Sequence, residues 1–211
     1  EVSESTRTAT FTPGRDAARK EASKLNVPRI GVRFRLPASM NQVEYFGRGP
    51  AENYLDRNAG SMVGLYKSTA EELYFPYVRP QENGHHTDTR WVSLSTGKKG
   101  LLIQADNTIG FNALRNSIED FDDEEATGLS RQWSNFTPEQ VANHDEAAAK
   151  NVLRRQHHIN DITPRDFVEV CVDLKQQGVA GYDSWGSRPE PAYTLPANRE
   201  YNWGFTLIPL K

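Results

Sequence analysis

The densest group of titratable side chains is a run of six carboxylates, residues 119–125, which is interrupted only by Phe121. Paired carboxylates can act as acid and nucleophile in glycoside hydrolysis, and clustered ones can bind Ca²⁺. This run lacks the glycine and the ligand spacing of a calcium loop, and runs of like charge in loops are usually solvated. We therefore predict neither catalysis nor metal binding in this segment.

The strongest candidate for ligand contact is Trp185, which lies in a loop containing glycine and serine. An indole offers a flat apolar surface to the C–H face of a sugar and a polar N–H for orientation. Asp183 and Ser184 are predicted to hold this loop through bonds from their side chains to the backbone. The other interpretation is a tryptophan that anchors the loop or lies in the core, and the residues alone favour that interpretation.

The histidines form no pattern that predicts a metal site. Two adjacent pairs occur, but neighbouring side chains in a strand point to opposite faces, and no cysteine or regularly spaced histidine completes a tetrahedral set. The five are His85, His86, His144, His157 and His158.

The elements that would position these residues are mostly strands. Three segments alternate apolar and other residues with a period of two, which predicts strands with one buried face. They begin near Ile30, Phe167 and Tyr201, and shorter candidates cover residues 42–46, 90–94 and 101–105. Turns rich in glycine and proline separate them. Many short strands with such turns predict an all-β sandwich.

Two segments depart from this pattern. Residues 1–27 contain few large apolar side chains and are interpreted as a polar linker or disordered tail, followed by a sandwich domain over residues 28–211. Thr137, Pro138 and Gln140 form a capping box, which predicts one short surface helix near residues 138–155.

Composition excludes several classes of function. The formal net charge is −3 and the mean hydropathy is −0.72, so no electrostatic case exists for nucleic acid or for an anionic membrane surface. Cys171 is the single cysteine, which precludes a disulfide within the chain and leaves the compartment open. In its alternating strand, Cys171 is expected to be a small buried thiol.

Four motifs resemble those of the C-terminal domain (the small-chain type) of family two glycoside hydrolases, the β-galactosidases. The likeness runs from about Pro28 to the C-terminus, in the family's order and approximate spacing. The motifs cover residues 45–57, 77–84, 89–91 and 177–185.

The resemblance implies a galactose mutarotase-like antiparallel β-supersandwich, incomplete on its N-terminal side. It implies a portion of a retaining enzyme that hydrolyses terminal β-D-galactosides. Trp185 would complete the wall of the sugar site, whereas both catalytic glutamates would lie in a barrel domain of the parent chain. That barrel would also hold any divalent or monovalent metal ions, so this fragment is predicted to be inactive and free of cofactors. Exposed sheet edges predict a homo-oligomer.

The sequence departs from the family pattern in two motifs. The closing motif usually has two glycines followed by two polar or acidic residues before Ser-Trp, but Ala180 replaces the first glycine and Tyr182 the first acidic residue. In the first motif, Leu55 stands where proline usually precedes the Asp-Arg pair. We also expect Glu52, Asp56, Arg57 and Arg90 to form a buried ion network, since charges inside a sandwich must be paired.

Two other functions stay open from the sequence. A stand-alone carbohydrate-binding module would bind galactose or lactose without a catalytic partner. A mutarotase-like epimerase would use a histidine and a glutamate to move protons on the sugar ring, and the local pair available is His85 with Glu82. Both residues are therefore weaker candidates for substrate binding.

Overall fold

The computed structural model describes residues 26–78, 81–121, 159–183 and 186–211, and the backbone of one strand near the N-terminus. Within these ranges the chain contains eight strands and three short 3₁₀ helices, at Ile118–Phe121, Ile159–Asp161 and Pro191–Tyr193, and no α-helix. The predicted all-β class is confirmed. The strands are β1 Ser5–Phe11, β2 Arg29–Pro37, β3 Gln42–Gly49, β4 Met62–Thr69, β5 His86–Ser95, β6 Gly100–Leu114, β7 Phe167–Gln176 and β8 Tyr201–Leu210.

The alternation of apolar and other residues in the sequence predicted most of these strands. The three strongly alternating segments are β2, β7 and β8, and the three shorter candidates lie within β3, β5 and β6. Strand β4 was missed because it exposes apolar residues: Met62 is 71% exposed and Leu65 59%. Its pattern therefore does not separate a buried face from a solvated one.

Strand β1 lies inside residues 1–27, the segment whose composition predicts a linker or a disordered tail. Its backbone pairs antiparallel with β8, from Ser5 opposite Leu207 to Phe11 opposite Tyr201. A search for large apolar residues overlooks it because threonine recurs at every second position (Thr6, Thr8 and Thr10). The boundary after residue 27 stays a prediction, and the predicted helix at 138–155 lies outside the described residues.

All pairings between strands are antiparallel, and their order is β1-β8-β6-β5-β3-β4, with β7 joining β6 to β2. The sheet divides at β6, a strand of 15 residues. One edge of β6 pairs with β5, while its other edge pairs with β8 over residues 100–105 and with β7 over residues 110–114. Register shifts in β5 between His86 and Trp91 accompany this division, as expected where a strand bends. The arrangement is consistent with the predicted sandwich.

The core consists of apolar side chains from five adjoining strands. Burial of such side chains stabilises a fold by about 1.5–3 kcal/mol each. The least exposed of these residues, at 0–2%, are Val43, Tyr45, Val92, Leu94, Ile103, Ile109, Phe111, Ala113, Val168, Val170, Val172 and Phe205.

Strand β7 is buried on both faces, although alternation predicted one buried face. Its second face carries Glu169 and Asp173, which are 3% and 1% exposed, and the buried thiol Cys171. Both carboxylates face arginines from β2: Glu169 lies 3.0 Å from Arg35, and Asp173 lies 3.2 Å from Arg29. The cost of burying these charges is offset by pairing across the two strands.

Residues Pro76–Glu82 and Asn116–Pro164 form a second compact unit. Within it, Asp120 is 5% exposed and accepts a hydrogen bond from the Ser117 amide at 2.9 Å. The start of the acidic run is therefore buried at Asp120, contrary to the expectation of a fully solvated run. Residues 122–125 lie outside the described ranges. In the described part of the chain, no helix has the length and apolarity to cross a membrane.

Candidate functional site

The first motif is organised around Asn53, a residue that is 0% exposed. Its amide nitrogen donates to the carbonyls of Arg48 and Ala51, both at 3.1 Å, and its oxygen accepts from the Thr87 amide at 3.0 Å and from the Thr87 hydroxyl. Its backbone amide donates to the His85 carbonyl at 2.7 Å. Asn53 therefore satisfies backbone groups of the turn on both sides of its side-chain amide.

The predicted ion network forms only in part. Glu52 and Arg57 pair at 2.9 Å, and the second Glu52 oxygen accepts from the Gly84 amide at 2.7 Å. The Arg57 guanidinium lies 5.0 Å from the centre of the Tyr54 ring. Arg90 instead lies above the Phe46 ring, at 5.6 Å. The fourth predicted member, Asp56, contacts backbone amides of the closing motif instead.

A second polar network joins the loop before β5 to strands β2 and β6. Asn112 donates its amide to the Asn83 carbonyl at 2.6 Å, and its oxygen receives the Arg29 guanidinium and His85 Nδ1, each at 2.8 Å. An amide oxygen can only accept, so His85 carries its proton on Nδ1. Asn83 holds the preceding chain through two bonds to the Phe75 backbone.

His85, predicted as a weaker sugar contact, lies in the interior. His85 is 1% exposed, and the Tyr54 ring stacks on the imidazole with 5.6 Å between the ring centres. Burial lowers the pKa of His85 to about 3, and the nearby Arg29 charge acts in the same direction. The cavity that His85 lines measures about 50 Å³, room for a few waters but not for a sugar ring. We assign His85 to the interior, and its pairing with Glu82 stays a prediction.

The remaining candidates lie at the surface or outside the described residues. Glu82 is partly buried and belongs to the second compact unit. Asp183 is exposed, and its carboxylate accepts a hydrogen bond from the Ser187 amide at 3.4 Å. Ser184 and Trp185 are outside the described residues.

The closing motif leaves β7 and runs to the surface. The Gly178 amide donates to the Tyr193 carbonyl at 2.8 Å. Ala180 and Gly181 then adopt positive φ angles of 54° and 86°. Positive φ is uncommon for alanine, and Ala180 stands where the family pattern has glycine. From Gly181 the described residues are exposed, and Tyr182 reaches 59%.

Sequence reasoning misassigned Asp56, which contacts the closing motif instead of an arginine. Its two carboxylate oxygens accept from the backbone amides of Val179 and Ala180. Both motifs that make this contact can be recognised in the sequence. Their contact could not be predicted because 123 residues separate Asp56 from Val179.

In the part of the chain that the structure describes, no three His, Cys, Asp or Glu side chains are grouped closely enough to hold a metal ion. The buried carboxylates of β7 are instead engaged with arginines.

Comparison with known proteins supports the resemblance. The profile of the family described as β-galactosidase small chain matches residues 3–207, a match that begins ahead of Pro28, where the motifs had placed its start. A β-galactosidase of Priestia megaterium is 35% identical over 185 residues, which is 87% of this chain and 15% of that protein. One from Arthrobacter sp. (strain B7) is 40% identical over 111 residues, covering 50% of this chain and 11% of that protein.

A β-galactosidase of Vibrio cholerae is 29% identical over 181 residues, covering 86% of this chain and 14% of that protein. The chain thus spans about 11–15% of the length of these relatives. The profile match covers nearly all of the 211 residues, and it includes the Asn53 turn, the Asn112 network and the closing loop. The chain belongs to the β-galactosidase small-chain family.

Proposed function

We propose that this chain is the C-terminal portion of a β-galactosidase that hydrolyses terminal β-D-galactosides. In this proposal it completes the wall of the sugar site with Trp185, while the two catalytic glutamates come from elsewhere in the parent chain. The observation that carries the proposal is an exposed loop, borne by a well-bonded β framework, that contains the closing motif of the small-chain family.

The position of the loop supports contact with a sugar. Gly181, Tyr182 and Asp183 on one side of Trp185, and Gly186 on the other, are all exposed. A residue between them can approach a ligand supplied by a neighbouring domain. Loops held by a rigid scaffold are where binding residues concentrate, and an indole there can bury the apolar face of a pyranose.

The chemistry of the described carboxylates supports an external source for the catalytic pair. A retaining glycosidase needs two carboxyl groups about 5 Å apart at the scissile bond. Glu169 accepts from Arg35 and Asp173 pairs with Arg29, and both are buried in β7. These two groups hold strands together and are not presented to a substrate.

The proposed partners follow from the same reasoning. The catalytic barrel of the parent chain would face the closing loop and supply the acid, the nucleophile and any divalent or monovalent metal ions. We propose a homo-oligomer for the parent, because β4 ends the sheet with the exposed apolar residues Met62, Val63 and Leu65.

The test is the kinetics of the parent enzyme with Trp185→Ala and Trp185→Phe. We expect Trp185→Ala to lower kcat/KM for a galactoside by about tenfold or more, that is ~1.4 kcal/mol of transition-state stabilisation, with an increase in KM. Trp185→Phe keeps a flat ring and should recover part of the loss.

Phe46→Ala is a matched control, because it removes a 38% exposed aromatic ring from the outer face of β3. Its kinetics should equal those of the wild type. The proposal is wrong if Trp185→Ala leaves kcat/KM unchanged while circular dichroism shows an intact fold.

A further inference from the structure

We infer that Asp56 is the positioning residue of the closing loop: its carboxylate binds the backbone of residues 179–180 and thereby sets where Trp185 stands. The effect of Asp56 on a sugar rests on the function proposed above. Its effect on the loop can be measured without any activity.

The carboxylate makes two hydrogen bonds to consecutive amides. The Val179 amide donates to Oδ1 at 3.1 Å, and the Ala180 amide donates to Oδ2 at 2.8 Å. Consecutive amides that converge on one anion form a concave backbone site of the kind that binds anions. Hydrogen bonds to a charged acceptor are stronger than those between neutral groups. Here the anion belongs to the same chain, so the contact joins the first motif to the last.

Gly178 permits this close approach. A Cβ atom at residue 178 would lie 2.4 Å from Asp56 Oδ2 and 2.5 Å from Cγ, closer than Cβ atoms come to other heavy atoms. Any larger residue would push the carboxylate away from the two amides. The glycine in this part of the motif therefore has a specific physical reason.

Asp56 is itself held in place. It lies in a turn closed by the hydrogen bond from the Arg57 amide to the Tyr54 carbonyl, at 2.8 Å. Arg57 is paired with Glu52, and the Tyr54 side chain is 1% exposed and stacks on His85. The carboxylate is thus presented by a turn that is fixed to the interior.

The two departures from the family pattern adjoin this one contact. Leu55, in the place of the usual proline, immediately precedes Asp56 in the turn. Ala180, in the place of glycine, donates one of the two amides and has a φ of 54°. A proline would restrict the turn, and a glycine would adopt the positive φ without strain. This chain has neither the proline nor the glycine, so the conformation of the loop depends more on the Asp56 carboxylate.

Beyond Ala180 the loop bonds to itself. The Tyr182 amide donates to the Ser187 hydroxyl at 3.1 Å, and the Ser187 amide donates to Asp183 at 3.4 Å. Both bonds lie within the loop, between residues 182–183 and residue 187, and neither ties it to a strand. Asp56 therefore joins the loop to the framework, next to the residues that change the chain's direction.

The experiment uses Asp56→Asn in the parent enzyme. Asparagine keeps the shape of the side chain, but its NH₂ group would point at one of the two backbone N–H groups. Two donors would then face each other, so that hydrogen bond is lost. Hydrogen exchange of the Val179 and Ala180 amides should accelerate about tenfold, because charge-assisted bonds are lost. The kcat/KM for a galactoside should fall about tenfold or less, with KM rising more than kcat falls.

A double-mutant cycle separates positioning from general damage. If Asp56 acts through Trp185, Asp56→Asn should lower kcat/KM much less in the Trp185→Ala background than in the wild type. Gly178→Ala disturbs the same contact from the loop side and should reproduce the exchange and kinetic effects. Asp106→Asn, which alters an exposed aspartate of β6, is the matched control and should change neither.

The outcomes distinguish the two proposals. Unchanged amide exchange in Asp56→Asn overturns the positioning role. The positioning role is also overturned if amide exchange accelerates and Trp185→Ala lowers kcat/KM, but Asp56→Asn leaves kcat/KM unchanged. It is likewise overturned if the loss of kcat/KM in Asp56→Asn is fully additive with the loss in Trp185→Ala. Faster exchange with normal kinetics in every variant, Trp185→Ala included, supports the contact and rejects the proposed sugar role of Trp185.

Discussion

Two regions of this molecule are built in opposite ways. Around Asn53 and Asn112, buried amides satisfy backbone groups from several elements. The closing loop is exposed at residues 181–183 and at Gly186, turns through positive φ angles, and is tied to the framework by the carboxylate of Asp56. The asparagines therefore build the frame, whereas residues 181–183 stand at the surface.

The difference has an energetic basis. A buried amide that loses its partners leaves several groups without either water or protein, at about 1–3 kcal/mol for each group. An exposed loop that loses a bond recovers bonds to water. Substitutions in the first region should therefore unfold the chain, whereas those in the second should move a loop in a chain that stays folded.

The largest effect is expected for Asn53→Ala. The substitution removes both donors to the Arg48 and Ala51 carbonyls and the acceptor for Thr87. We expect the free energy of unfolding to fall by about 3 kcal/mol or more, measured by urea denaturation. Asn198→Ala, at an exposed position, should change stability by less than about 0.5 kcal/mol. A small change for Asn53→Ala would remove the contrast between the two regions.

The interior should also make stability depend on pH through His85. Its pKa in the folded chain is about 3, below the ordinary value of 6.5, so the unfolded chain binds the additional proton as the pH falls. Stability from this group is fully present above pH 6.5 and decreases towards pH 3. Between pH 7.5 and pH 5 we expect a loss of about 2 kcal/mol from His85.

The measurement is urea denaturation of the wild type and of His85→Gln across that pH range. Glutamine can donate to Asn112 but does not titrate. Its stability should be lower at pH 7.5 and should fall less steeply towards pH 5. Equal slopes in the two proteins would show that His85 does not carry this pH dependence.

The smallest effect is expected at Ala180, in the loop. Ala180→Gly relieves a positive φ of 54° and should stabilise the chain by up to about 1 kcal/mol, measured by thermal denaturation. Ala192→Gly is the matched control in the 3₁₀ helix Pro191–Tyr193, where it should be neutral or destabilising. Equal destabilisation by both substitutions would mean that the Ala180 conformation is not strained.

Local patterns predicted much of the fold. The alternation in β2 is visible in the sequence because every second side chain of a half-buried strand must avoid water. The same apolar alternation located β7 and β8, although β7 is buried on both faces. The same rule failed for β4, which exposes Leu65, and for β1, whose threonines are compatible with either face.

The partners of the charged and amide residues were not predictable in this way. Sequence reasoning placed Asp56 in an ion network and kept His85 as a possible sugar contact. The structure places Asp56 on the Val179 and Ala180 amides, and it buries His85 beside Asn112. These partners lie 27 to 124 residues away, and hydrogen bonds depend on distance and angle, which spacing in the sequence does not report.

The amino-acid sequence by itself determined the all-β class, most of the strands and the family, because periodicity and motifs are local properties of the chain. Only the tertiary structure decided which face of β7 accepts buried carboxylates, which histidine is kept neutral, and which aspartate holds the closing loop. The physical reason is that the pairing of β2, β6 and β7 sets the dielectric surroundings and the partners of each polar group.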